Sequence, residues 1–287
     1  MPVLTSQQRN AISAFADMTG CKESTASKQL KAAGWDLNAA VDAYFQTHTP
    51  AKTSLQPALN KLFDTYRGML PYSTCDLTDF PVDDTDDPDQ IGADGTMKYL
   101  EDLSVSLEEP VMLAVLAQVK APTMGELSRG EFTNGWEAVS ADTISKQASV
   151  ASQFRESLKS DANLFRNVYK HSFVLARQPG QKSVLIEAAV EFWRMLFSPA
   201  GFDWTTKGFN WIETYLTFIQ EKWNKSISKD LWDQTLFFAK KTREDPSLAW
   251  WNEAESAWPS IIDEFAKHVK SLPEHRKITS ADTMDTS

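Results

Sequence analysis

Apolar residues return at helical spacing along almost the whole chain. Near the N-terminus, Ile12, Phe15 and Ala16 share one face behind the capping candidates Thr5 and Ser6. The turn Met18-Thr19-Gly20-Cys21 leads into a second helix that starts near Glu23 and Ser24 and stops at Gly34, a residue suited to the left-handed end of a helix. Trp35 and Asp36 open a third short helix, with Ala40, Val41, Tyr44 and Phe45 on one side. The pattern predicts a three-helix bundle over 1–47. Polar, aperiodic residues 48–54 read as a linker.

From residue 55 to 270 the helical pattern continues with more aromatics. Leu59, Leu62, Phe63 and Tyr66 make one stripe; Val111, Met112, Val115, Leu116 and Val119 make another. Leu164, Phe165, Val168, Tyr169 and Phe173 follow, and then Phe209, Ile212, Leu216, Ile219 and Trp223 over four turns. Ile261, Ile262, Phe265 and Val269 close the region. Residues 184–197 are apolar nearly all round, which predicts the central buried helix. No sustained alternation calls for a large sheet. The fold class is all-α, and the polar residues 271–287 read as a flexible tail.

Composition narrows the function classes. No apolar run approaches the ~18–20 residues of a membrane span, and the N-terminus lacks the basic start and apolar stretch of a signal peptide. Two cysteines, Cys21 and Cys75, give no disulfide framework and fit a reducing compartment, nucleus or cytoplasm. The net charge is −10, and the 12 acids and one base between Asp76 and Glu109 supply −11 of it. That distribution repels nucleic acid.

Candidate chemistry is sparse. His48, His171, His268 and His275 stand at no metal-ligand spacing, so neither a metal nor a cofactor is expected. There is no nucleophile elbow, no phosphate-cradling glycine loop and no CxxC pair, so no catalytic residue is assigned. The acidic stretch invites a calcium test. With Ile91 at the eighth position of an EF-hand loop, Asp84 and Asp86 fall first and third. Pro88, Asp89 and Gly95 then stand where a ligand, the turn glycine and the bidentate Glu belong. This is a degenerate loop, read as a solvated acidic segment capping a helix that starts near Asp94, with Phe132 marking the matching point of a second hand. Six of the ten tryptophans fall between residues 205 and 260, interleaved with Asp230, Asp233, Glu253, Glu255, Asp263 and Glu264. Acids beside aromatics suit either a solvated helix face or a groove for a basic partner.

Ordered short motifs carry a resemblance. The three N-terminal helices resemble a ubiquitin-associated (UBA-like) domain, with Met18-Thr19-Gly20 where that family usually has Met-Gly-Phe or Met-Gly-Tyr. The later region contains Ile91-Gly92-Ala93-Asp94-Gly95, Ala176-Arg177-Gln178-Pro179-Gly180-Gln181-Lys182 and Phe192-Trp193. After these come Ser226-Ile227-Ser228-Lys229-Asp230-Leu231-Trp232 and a segment running from Ala257-Trp258-Pro259 to Phe265. In that order it resembles the potentiating-neddylation (PONY) domain of the defective-in-cullin-neddylation family.

The resemblance implies paired degenerate EF-hand-like units and a non-catalytic, scaffold-type ligase component for cullin neddylation. It implies an acidic patch of Asp230, Ala257 and Asp263 for the C-terminal winged-helix region of a cullin. It also implies an apolar pocket of Met112, Val115, Leu116, Val119, Ala121, Leu127, Leu175, Phe192 and Met195 for the acetylated N-terminal methionine of the neddylation-conjugating enzyme. A ring-type ligase subunit would take part indirectly, and Met18, Thr19, Gly20, Tyr44 and Phe45 would form a ubiquitin-binding face. A ubiquitin-binding adaptor and a calcium-regulated EF-hand protein are the alternative readings.

Overall fold

The computed structural model describes residues 5–19, 21–48, 54–68, 87–206, 208–223, 225–253 and 257–276. The chain divides into two compact units between Ser54 and Leu55.

The smaller unit holds α1 (Ser6–Thr19), α2 (Glu23–Ala32) and α3 (Leu37–His48). Thr5 and Gln8 cap α1 reciprocally: the Thr5 amide donates to Gln8 Oε1 at 3.0 Å and the Gln8 amide to Thr5 Oγ1 at 3.3 Å. Ile12, Phe15, Ala26, Leu30, Ala40 and Val41 form the core. Gly34 adopts φ +63°, and the amides of Gly34 and Trp35 donate to the Lys31 and Leu30 carbonyls. Those two bonds are a Schellman cap. Trp35 is also left-handed, so α3 starts at Leu37, with the Asp36 carboxylate accepting from the Ala39 amide at 3.0 Å. A Cβ on Gly34 would meet nothing within 4 Å, so Gly34→Ala costs only backbone strain. It should lower the unit's stability by about 1 kcal/mol. Hydrogen exchange at the Leu30 amide in the full chain is the readout, expected to speed up correspondingly.

The larger unit begins with α4 (Gln56–Tyr66), β1 (Gln90–Ile91), α5 (Ala93–Asp102), α6 (Pro110–Gln118), β2 (Leu127–Ser128) and α7 (Arg129–Ala138). The two-residue strands pair antiparallel, Ile91 opposite Leu127, and join two helix–loop–helix units back to back. The partner of Ile91 is therefore Leu127. Phe132, expected at that point, sits inside α7, fully buried against Phe63 and Tyr99. Gly95 packs so closely on α4 that a Cβ there would collide with the Tyr66 carbonyl oxygen, leaving no room for a calcium-binding Glu. Asp84 and Asp86 lie outside the described residues. The N-cap of α5 is Gly92, with no side-chain cap. Asp89 of the acidic segment instead pairs with Arg129 at 2.8 Å, and Arg129 also reaches Asp64 and lies over the Phe63 ring.

A second pair of such units follows. It contains α8 (Ile144–Ser157), α9 (Ala162–Ala176), α10 (Ile186–Leu196), β3 (Thr205–Thr206), β4 (Phe209–Asn210), α11 (Trp211–Lys222), α12 (Lys229–Glu244) and α13 (Ser260–Ser271). Here an isolated antiparallel bridge, Val184 to Ile227, ties the loop before α10 to the loop before α12. The helix buried all round is α6, whose residues from Pro110 to Leu116 are all buried. The expected central helix, α10, is amphipathic instead: Glu187, Glu191 and Arg194 line one exposed face, while Ala189, Val190, Trp193 and Leu196 face inward. The stripe from Phe209 to Trp223 also overshoots, since α11 covers only Trp211–Lys222.

The segment expected to be a tail from residue 271 stays packed to Arg276. His275 is buried between Phe209 and Trp211, and its Nε2 lies 2.7 Å from the Pro246 carbonyl oxygen. Residues 277–287 lie outside the described ones.

Candidate protein-binding face

Three tightly bonded aromatics hold the face in place. Tyr169 of α9 donates its hydroxyl to the Trp232 carbonyl at 2.7 Å and accepts from the Trp193 indole at 2.9 Å. The Trp232 indole returns to the Tyr169 carbonyl at 3.0 Å, and the Trp193 and Trp232 rings stack 5.2 Å apart. All three side chains are buried, so α9, α10 and α12 are pinned at one point and the outer face of α12 is fixed against the core. Five of the ten tryptophans, Trp136, Trp193, Trp204, Trp211 and Trp232, are fully buried, whereas Trp223, Trp250 and Trp258 of the 205–260 cluster are only partly so.

Asp230 lies exposed in the first turn of α12, capped by Ser228, whose Oγ accepts from the Leu231 amide. Asp230, Gln234 and Phe237 follow at four- and three-residue steps and so share a side of α12. Phe237 is half exposed and stacks on Trp258, with ring centroids 5.2 Å apart. That stack, with Trp258 edge-on to Phe238, lays the loop carrying exposed Ala257 beside the same side of α12. Asp263, half-buried in the first turn of α13, accepts the Trp251 indole N–H at 2.8 Å. Carboxylates in the opening turns of α12 and α13 also suit the positive ends of those helices. The face therefore offers acids, an exposed aromatic and a small residue between them. Phe237 was missed by sequence reasoning, although the pair Phe237-Phe238 carries a signal: adjacent helix residues point about 100° apart, so a one-sided core rarely takes both.

The apolar set divides around α9. Met112, Val115 and Leu116 of α6, with Val119 and Ala121 just beyond, are fully buried, as is Leu127 of β2. Leu175 of α9 is 5% exposed. α9 packs on α6 and on α10, and Phe192 and Met195 of α10 are half-buried. His171 fastens the α6 end, its Nε2 2.9 Å from the Ala121 carbonyl oxygen; burial depresses the imidazole pKa, with that bond opposing. In this conformation the set is closed core with two partly open members.

In the smaller unit, Met18 is 56% exposed at the end of α1. The Thr19 hydroxyl donates to the Phe15 carbonyl at 2.7 Å, and Tyr44 packs edge-on against Phe15. Gly20 and the side chain of Phe45 lie outside the described residues.

Comparison with known proteins decides the family. Residues 146–268, which carry Asp230, Ala257 and Asp263, match the family described as "Cullin binding", and residues 9–50 match a "UBA-like domain". The chain is similar to Defective in cullin neddylation protein 1 of Pyricularia oryzae, with 31% identity over 93% of this chain and 95% of that protein. The chain belongs to the defective-in-cullin-neddylation family. Its similarity to the Yarrowia lipolytica protein of the same name is 33% identity over 88% of this chain and 92% of that one. For the Saccharomyces cerevisiae protein of that name it is 23% over 91% and 93%. Within the defective-in-cullin-neddylation family, the cullin-binding match spans α8 to α13, the segment pinned by the aromatic cluster.

Proposed function

We propose that this chain promotes cullin neddylation as a scaffold. It holds the C-terminal winged-helix region of a cullin against a conjugating enzyme charged with the ubiquitin-like modifier, beside a ring-type ligase subunit. The observation that carries this reading is the exposed face of Asp230, Ala257 and Phe237, which lies within the cullin-binding match. Carboxylates there give charge-assisted bonds to Lys or Arg of the partner, and the small Ala257 side chain lets the partner's backbone come close. Rate acceleration then comes from proximity and orientation, with no covalent intermediate on this chain.

The conjugating enzyme's acetylated N-terminal methionine would enter between α9 and α10. Phe192 and Met195 form the rim, and Met112, Val115, Leu116, Val119, Ala121, Leu127 and Leu175 yield to form the floor. Acetylation is needed because a free ammonium would be desolvated against apolar walls at a cost of roughly several kcal/mol. Sedimentation of the full chain with a cullin C-terminal domain and the conjugating enzyme tests the bridge. A three-component complex is expected with the acetylated enzyme, and a two-component one with the free amine. Equal assembly with both forms would remove the pocket from the proposal. The alternative reading, a weak ubiquitin contact by the smaller unit, would use the exposed Met18.

A further inference from the structure

Two grooves of about 520 and 380 Å³ meet along α9 and α12. Lys159, Lys240 and Arg243 line the first, and Arg166, Lys170 and Lys240 line the second, so Lys240 makes them continuous. None of these five cations makes an ion pair among the described residues. Three acids share the lining, and two are already committed. Asp161 caps α9 by accepting from the Asn163 and Leu164 amides, and Asp233 is bonded to Lys229 at 2.7 Å. Glu244 and the carboxylate of Asp161 still offset part of the charge, and five cations against three acids leave the lining net positive. Burial and the nearby Arg166 pull the Lys240 pKa below its ordinary value, against Glu244. An excess of positive charge thus gathers in the lining of the two grooves on a chain whose net charge is −10.

Aromatic and aliphatic side chains lie between the charges. Phe165 and Phe202 line the first groove, Leu236 and Phe237 the second. The Arg243 guanidinium is held 4.4 Å over the Phe202 ring, which orders it before any ligand arrives. We propose that the joined grooves bind an acidic peptide segment of a partner protein, a run of Asp and Glu carrying apolar side chains. A strung-out line of cations matches carboxylates along an extended chain, and the apolar lining takes the side chains between them. A lone phosphate would find no convergent cradle, because the amides at the start of α9 already serve Asp161. A long polyanion would meet repulsion from the rest of the molecule. The site has the opposite sign to the Asp230 face and adjoins it through Gln234 and Phe237, so the variants below leave both of those residues unchanged.

Fluorescence anisotropy of the full chain at low salt tests it, with a short labelled peptide of Asp and Glu containing one Phe and one Leu. Lys240→Glu/Arg243→Glu should weaken binding at least about tenfold (about 1.4 kcal/mol). Lys28→Glu/Lys31→Glu on α2 makes the same charge change at residues that line neither groove and should leave binding near wild type. Replacing the peptide's Phe and Leu by Ser should also weaken binding. Circular dichroism checks folding, and Lys159→Ser/Lys170→Ser is the milder variant, expected to weaken binding as well. The proposal is overturned if the wild type does not bind the peptide, if groove and control variants lose affinity equally, or if the folded groove variants bind normally. An oligonucleotide of equal charge binding as tightly as the peptide would overturn it too.

Discussion

The full chain carrying Asp230→Ala with Ala257→Arg is expected to bind a cullin C-terminal fragment about thirtyfold more weakly (about 2 kcal/mol). Both side chains are exposed, so neither change opens the core. Ala257 has the larger effect because Trp258, stacked on Phe237, fixes where an added guanidinium would stand. There it would fill the space the partner's backbone needs and repel a basic surface. Asp263 is left unchanged, since its carboxylate also accepts the Trp251 indole N–H, and losing that bond would mix stability with binding. Titration calorimetry gives the affinity, and raising the salt should narrow the gap between variant and wild type as charges are screened. Undiminished binding by the folded variant would place the contact elsewhere on the molecule.

Trp232→Ala is expected to destabilise the larger unit by about 3–5 kcal/mol, in the range for buried aromatic truncations. It removes the ring stacked on Trp193 and packed against Tyr169 and Phe173, and it leaves the Tyr169 carbonyl without the indole N–H. A unit of this size loses about 2–4 °C of melting temperature per kcal/mol, so a fall of roughly 6–20 °C should appear in calorimetry. The same change should loosen α12 and with it the Asp230 face, so cullin binding should weaken even below the melting transition. A shift of only a degree or two would mean that α9, α10 and α12 are not tied together through this ring.

Periodicity made most of the helices legible because, α6 apart, they bury one face and expose the other, and Gly34 marked its Schellman cap because a left-handed position favours glycine. Residues 184–197 misled because apolar content hides direction. The charged positions Glu187, Glu191 and Arg194 fall on one side of α10, whereas α6 carries no charged residue from Pro110 to Gln118. The Ile91–Leu127 pairing was invisible because two residues are too few to show alternation. Roles for Asp230, Ala257 and Asp263 came from resemblance rather than pattern, since an acid in the first turn of a helix is equally at home as a cap of the dipole. The structure adds the aromatic stack that lays the Ala257 loop beside α12. The cationic grooves were hidden for a different reason: Lys159 and Arg243 are far apart in sequence, and only the packing of α9 against α12 brings them to one groove.

Acceleration without chemistry by this chain is tested by the rate of modifier transfer from a charged conjugating enzyme to a cullin C-terminal domain. The wild-type chain and Cys21→Ser/Cys75→Ser are expected to speed transfer equally, with no modifier linked to either, while Asp230→Ala/Ala257→Arg does not. Loss of acceleration in the folded cysteine-free chain, or full acceleration by the patch variant, would contradict it.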